Sequence, residues 1–260
     1  VVQIYTLDEG RANPAVSLYV TYNEETLEVI AKETKLERVP VVVNFRYDKL
    51  DHIATEEWLM DSSLQVENTP QPLLDKREEL TFLYRLSRHL KAGREVVRGK
   101  PENFNRPDYN FRLVGNDGAE PTGEEQVQIS VRQRGAPLDL IVAEAAIVAN
   151  SSWGQLLADY GVPGIYRSQA SLAPGVKVRM STKALPHAGI GVKSYVWATS
   201  PLRRYTDLVN QWQIIACARN GATAALVAPF KPKDAEMFSI ISGFDAAYSA
   251  YNGYQAGMER

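Results

Sequence analysis

Runs of β-branched and aromatic residues broken by polar turns dominate the first part of the chain. Ala15-Val16-Ser17-Leu18-Tyr19-Val20-Thr21-Tyr22 and Arg38-Val39-Pro40-Val41-Val42-Val43 carry this pattern, so residues 15–60 are expected to form a small sheet region. Within it, Thr55 to Asp61 predicts a short helix, and the prolines at 70 and 72 mark Asn68 to Pro72 as loop. From Asp75 to Arg98 the period becomes helical: Leu83, Leu86 and Leu90 recur at spacings of three and four, while Arg88, Lys91, Glu95 and Arg98 share another stripe. That pattern predicts an amphipathic helix with a basic outer face. Tyr109 to Val114 and Val127 to Val131 read as two strands of a hairpin with a turn at Asn116-Asp117-Gly118. Leu138 to Tyr160 is Ala-rich and apolar on most sides, which predicts a buried core helix. A mixed region to Val196 precedes helices from about Pro201 to Asn220 and from about Pro232 to the end. With no internal repeat, the order describes one α+β (mixed α/β) unit.

Composition narrows this picture. A chain of 260 residues with 45% hydrophobic positions can bury a sizeable core. Lys plus Arg (29) against Asp plus Glu (31) leaves a formal charge of −2, so any nucleic-acid binding must come from a local patch. The single Cys217, among apolar neighbours, excludes an internal disulfide and fits a reducing compartment. No run approaches the roughly 20 uninterrupted apolar residues of a membrane span, and the N-terminus lacks the layout of a signal peptide. A cytoplasmic protein without a membrane partner is expected. The chain opens without Met and stops in a helical pattern, so it is expected to be part of a longer polypeptide.

The stretch richest in chemistry is Tyr195-Val196-Trp197-Ala198-Thr199-Ser200-Pro201-Leu202-Arg203-Arg204-Tyr205-Thr206-Asp207. Thr199 or Ser200 suits an N-cap and Pro201 the first helical position, because its missing N–H would have been unpaired there. Arg203 and Arg204 would then sit in the first turn, where a cation is unfavourable by about 0.3–1 kcal/mol. A phosphate would compensate them, since helix-start N–H groups and guanidinium forks both match phosphate oxygens. Alternatively, Asp207 pairs with Arg203 along the helix.

The stretch from His187-Ala188-Gly189-Ile190-Gly191 through Tyr195, followed by Thr199-Ser200-Pro201-Leu202-Arg203-Arg204-Tyr205 and Asp207, resembles the signature near the end of the catalytic domain of the ribonuclease II / ribonuclease R (RNB) family. Val142-Ala143-Glu144-Ala145-Ala146-Ile147-Val148-Ala149-Asn150 is similar to that family's helix ending in Ala-Asn, and Gly164-Ile165-Tyr166-Arg167 to the segment after it. Asn44-Phe45-Arg46-Tyr47-Asp48 resembles the place where the family presents an aromatic side chain to the RNA 3′ end. The likeness spans nearly the whole chain and identifies residues 1–260 as the C-terminal part of such a catalytic domain, a mixed sheet with surrounding helices, incomplete here.

The resemblance implies a 3′-to-5′ exoribonuclease that hydrolyses single-stranded RNA to nucleoside 5′-monophosphates with Mg²⁺ and no nucleotide cofactor. Arg203 would contact the scissile phosphate, Arg204 a neighbouring phosphate or a structural carboxylate, and Tyr47 would stack on terminal bases or pack as a strand tyrosine. Glu144 would accept from a ribose 2′-hydroxyl or pair with a structural arginine. His52 and His89 read as surface residues and His187 as structural. The family's metal-holding aspartates have no counterpart here, Asp48 and Asp51 reading as turn and strand-end residues, so the Mg²⁺ ligands are expected outside this chain. Asn210-Gln211 and Ser168-Gln169 depart from the family pattern at peripheral RNA contacts. The basic run from Arg85 to Arg106, with Arg88, Lys91, Arg94, Arg98 and Lys100 near Phe104 and Tyr109, reads as a solvated helix face or as a guide for a single strand. An RNA-binding relative that has lost hydrolysis is the alternative function.

Overall fold

The computed structural model describes residues 2–102, 108–115, 123–132 and 135–258, without the side chains of residues 2, 47, 48, 108 and 132. A short helix, α1 (Val2–Tyr5), leads into a long antiparallel hairpin of β1 (Ala12–Tyr22) and β2 (Val29–Pro40), in register from Ala12 opposite Pro40 to Tyr22 opposite Val29. The turn is set by Asn23, whose Oδ1 accepts the N–H groups of Glu25 and Thr26, both at 2.9 Å. The return strand therefore starts earlier than the valine run suggests. It ends at Pro40, and Val42, 78% exposed, lies beyond the ladder.

Four helices follow: α2 (Tyr47–Leu50), α3 (Glu56–Met60), α4 (Gln71–Asp75) and α5 (Arg77–Arg98). The expected short helix is α3, capped by Thr55, whose Oγ1 accepts the Trp58 N–H at 3.2 Å. α4 begins inside the expected loop, because a proline early in a helix occupies a position whose N–H has no intrahelical partner. α5 runs to Gly99, whose φ of 72° closes it in the left-handed conformation. Its buried residues are Leu80, Tyr84, Leu86, Ser87 and Arg94, whereas Leu83 is 39% exposed. Arg94 is thus on the inner face, not the outer one. Trp58, Leu59, Leu73, Leu80 and Tyr84 form one core with Leu138.

The predicted hairpin is β3 (Asp108–Val114) with β4 (Gln126–Arg132), and its turn at Asn116-Asp117-Gly118 lies outside the described residues. The long apolar helix is α6 (Pro137–Asp159). By length and composition alone α6 could cross a bilayer. It packs instead on α5, and its inward positions include Glu144 and Asn150, which only a polar protein interior satisfies. It is not buried all round as expected, since Val142 is 61% exposed.

β5 (Tyr166–Ser168) and β6 (Arg179–Ser181) form a third antiparallel pair, followed by α7 (Tyr205–Asn220), α8 (Ala224–Val227) and α9 (Ala235–Met258). A second core joins Trp153 and Leu157 of α6 to Tyr166, Val196, Ile214 and Cys217; a third joins Ile165 and Val209 to Phe230, Met237 and Ile241. Burial pushes the Cys217 thiol up to about 11, which makes it an inert packing residue. The α+β class holds. The described strands pair as three two-stranded antiparallel ladders, however, and no larger mixed sheet forms among the described residues.

Candidate nucleic-acid interface

One face of α7 is polar and fully buried. Asp207, Asn210 and Gln213 recur every third residue and are each 0% exposed, a pattern that a buried helix tolerates only if every polar atom is answered. Each is answered by backbone. Gln213 Nε2 donates to the carbonyls of Pro163 (2.8 Å) and Phe230 (3.0 Å), and its Oε1 accepts the Phe230 N–H at 3.1 Å. Asn210 Oδ1 accepts the Ile165 N–H at 2.7 Å, while its Nδ2 donates to the carbonyls of Ile165 (3.1 Å) and Trp197 (2.8 Å). From the other side, Asn150 of α6 accepts the Ala198 N–H at 3.0 Å and donates to the Tyr195 hydroxyl at 3.2 Å. The segment carrying Trp197 is therefore clamped between two helices. Asn210, together with Gln211, which donates to the Ala198 carbonyl at 2.8 Å, serves this clamp.

The next segment differs from its sequence-based expectation. Residues 201–203 form a turn, not the first turn of the helix, and Arg204 is the N-cap in an extended conformation (φ −131°, ψ 117°). The cause is Asp207: its Oδ1 accepts the Ser200 N–H at 2.9 Å and the Arg204 Nη2 at 2.7 Å, which pulls the chain into a tight loop before the helix. The Ser200 carbonyl closes this loop by accepting the N–H groups of Arg203 (3.2 Å) and Arg204 (3.0 Å). Asp207 sits in the first helical turn, where a carboxylate is favourable. Its ion-pair partner is Arg204, leaving Arg203 exposed on the turn with no ion pair among the described residues.

Beside this turn, Trp197 gathers two guanidiniums. The Arg167 carbon Cζ lies 3.7 Å from the Trp197 ring centroid and that of Arg204 lies 4.2 Å from it. Tyr248 meets the same indole edge-on at 5.5 Å, and Phe244, one turn earlier on α9, stacks on Tyr248 at 5.7 Å. Burial first, and then the Arg204 charge, hold the Arg167 pKa below its ordinary value. Two unit charges held so near one ring, at most about 8 Å apart, repel by roughly 2 kcal/mol or more at an effective dielectric near 20. Asp207 offsets one of them; Arg167 and Arg203 remain. The residues that the sequence reading did not single out are Arg167, Trp197, Phe244 and Tyr248, although an aromatic pair four apart on a helix was a usable signal.

Glu144 lies elsewhere, at 1% exposure, with both oxygens on Arg94: Nε donates to Oε2 at 2.9 Å and Nη2 to Oε1. Of the two roles open to it, pairing with a structural arginine is the one this arrangement fulfils. Arg94 also pairs with Glu102 at 3.0 Å and donates to the Ile190 carbonyl, tying α5 and α6 to the loop before Trp197. Burial opposes the charge on Arg94, but the hydrogen bonds to Glu144 and Glu102 outweigh it and hold the pKa above the ordinary value. Arg88 pairs with Glu56 at 2.6 Å and Lys91 with Glu95 at 2.6 Å, so much of the basic run is neutralised; Phe104 and Arg106 lie outside the described residues. Tyr47 opens α2, and its side chain lies outside the described residues. His187 is buried, accepts the Ile190 N–H at Nδ1 (3.3 Å), and is held down to about 4 by burial and then by the Arg167 charge.

No group of three or more metal-ligating side chains is assembled among the described residues. Asp207, the carboxylate nearest the arginines, is buried and committed to Ser200 and Arg204. This donor set does not fit Mg²⁺.

The family model described as RNB domain matches residues 1–177 and 175–220. An uncharacterized ribonuclease of Synechocystis is 32% identical over 118 residues, covering 37% of this chain and 18% of that protein. An active-site mutant of the Dss1 exoribonuclease from Candida glabrata superposes with a TM-score of 0.70 at 18% identity, over 95% of this chain and 34% of that one. Mycoplasma genitalium RNase R in complex with double-stranded RNA gives 0.63 at 14% identity, over 93% of this chain and 47% of that one. Yeast Ssd1, described as a pseudonuclease, gives 0.55 at 12% identity, over 94% and 33%. The chain thus spans under a fifth of its curated relative and between a third and a half of these structures.

Proposed function

The chain belongs to the RNB domain family, a ribonuclease family, and from that membership we propose that it carries the phosphate-binding part of a 3′-to-5′ exoribonuclease acting on single-stranded RNA. The observation that carries the reading is the excess of positive charge around the Ser200–Arg204 turn, in a chain whose overall charge is −2. A guanidinium carried on a closed turn suits a phosphodiester, because its planar donors match the non-bridging oxygens and can answer negative charge that builds up during displacement. Arg203 is the residue assigned to the scissile phosphate: it is exposed, and Ser200 fixes its backbone. Arg204 is shared between Asp207 and the strand. Tyr47 is assigned to base stacking on the resemblance alone. Mg²⁺ dependence is expected of the whole enzyme, with ligands supplied from outside this chain.

A second reading is an RNA-binding relative without hydrolysis, and the same fold in a protein described as a pseudonuclease favours it. The test uses the whole protein, a divalent metal and 3′-labelled single-stranded RNA. Release of labelled mononucleotide, slowed by about 10²- to 10³-fold in Arg203→Ala and blocked by a 3′-phosphate, supports the nuclease. Tight binding without release under any divalent metal overturns it in favour of the binding module.

A further inference from the structure

The Arg203 site does not account for the charge held at Trp197. The Arg167 guanidinium makes no hydrogen bond and no ion pair among the described residues, yet it is partly buried and pressed against an indole ring. Arg204 pairs with Asp207 through Nη2, but its Nε is a buried donor with no acceptor. Asp207 makes no ion pair with Arg167: its Oδ1 takes the Ser200 N–H and Arg204 Nη2, and its Oδ2 accepts Thr206 Oγ1 at 3.4 Å. Asp245 of α9 acts on Arg167 only at longer range, without an ion pair. Arg204 Nε loses solvation without gaining a partner, while the half-buried Arg167 guanidinium has no acceptor among the described residues, and a site of this kind is completed by an anion.

We propose that Arg167 and Arg204, held against Trp197, form a second phosphate position for a bound RNA strand, separate from the one assigned to Arg203. The proposal rests on the reading above that the chain binds RNA and adds to it a named contact. A phosphodiester offers two non-bridging oxygens, which match planar guanidinium donors better than a point charge would. The aromatic group explains the choice of arginine: Trp197 and Tyr248 hold a flat cation by its face and leave its edge for the ligand. Because Asn150 and Asn210 clamp the Trp197 segment, the two forks keep a fixed relation to the Arg203 turn. Two phosphate positions on a rigid frame would fix the register of the strand as well as its affinity.

The test is binding of the whole protein to a short single-stranded oligoribonucleotide, without divalent metal, over a range of salt. A set of oligomers each carrying one uncharged methylphosphonate linkage is measured beside it. Two sensitive linkages are expected for the wild type. Sensitivity at one should vanish in Arg203→Ala and at the other in Arg167→Gln, each variant lowering the slope of log K against log salt by about 0.7 and affinity by about tenfold. One sensitive linkage in the wild type, which needs no variant to fold, overturns the proposal. So does an unchanged slope in Arg167→Gln at an unchanged melting temperature. If no linkage matters and Arg203→Ala is also silent, RNA binding itself falls, a result distinct from loss of the second position alone.

Discussion

Two arginine centres in this molecule look alike in sequence and behave oppositely. Arg94 is buried, faces the carboxylates of Glu144 and Glu102 and a carbonyl, and has its charge fully answered within the chain. Arg167 and Arg204 are packed on Trp197 with one carboxylate between them, and Arg203 beside them has none among the described residues. A guanidinium answered from within joins elements together, and one left unanswered is available to something outside. Arginine content alone therefore does not mark an anion site; the count of committed carboxylates does.

The largest expected effect comes from breaking the first centre. Arg94→Met leaves the buried Glu144 without its cation and Glu102 with only Arg98 at 4.0 Å, and should cost about 3–5 kcal/mol in urea unfolding, whereas adding Glu144→Leu to it should recover much of the loss. Arg203→Ala should stay within about 0.5 kcal/mol of wild type in the same measurement, and a large destabilisation there would erase the contrast. Acid should act next, through His187. Its pKa is depressed in the fold, so it contributes stability that is complete above about 6.5 and lost as pH falls towards about 4. The loss amounts to about 3 kcal/mol; His187→Asn, which keeps an acceptor for the Ile190 N–H, should flatten that slope. Gly191→Ala should cost about 1–3 kcal/mol, because φ is +80° and a Cβ would run into the Arg94 carbonyl oxygen. A small effect is also expected for Arg88→Ala, whose exposed pair with Glu56 should contribute at most about 1 kcal/mol. A larger loss would mean that the outer face of α5 is not simply solvated.

Periodicity made α5, α6 and the β3–β4 hairpin legible, because each has a run long enough to show its period. It misplaced the start of α7. Thr199, Ser200 and Pro201 are sound helix-start residues, but a carboxylate seven residues after Ser200 captured its N–H and held the chain in a turn. The buried polar face of α7 is not legible in the sequence for a related reason. Asn210 and Gln213 look like surface residues until the backbone groups they answer are known, and those groups belong to segments 13 to 50 residues away. Arg94 and Glu144 face each other across 50 residues of sequence, so neither could be told from a surface charge by its neighbours.

The sequence by itself determined the family and the α+β class, because those rest on local pattern and on the order of motifs. Only the tertiary structure decided which arginines are answered and which are free. That outcome depends on where each carboxylate lands once distant helices pack, and charge pairing acts through space rather than along the chain.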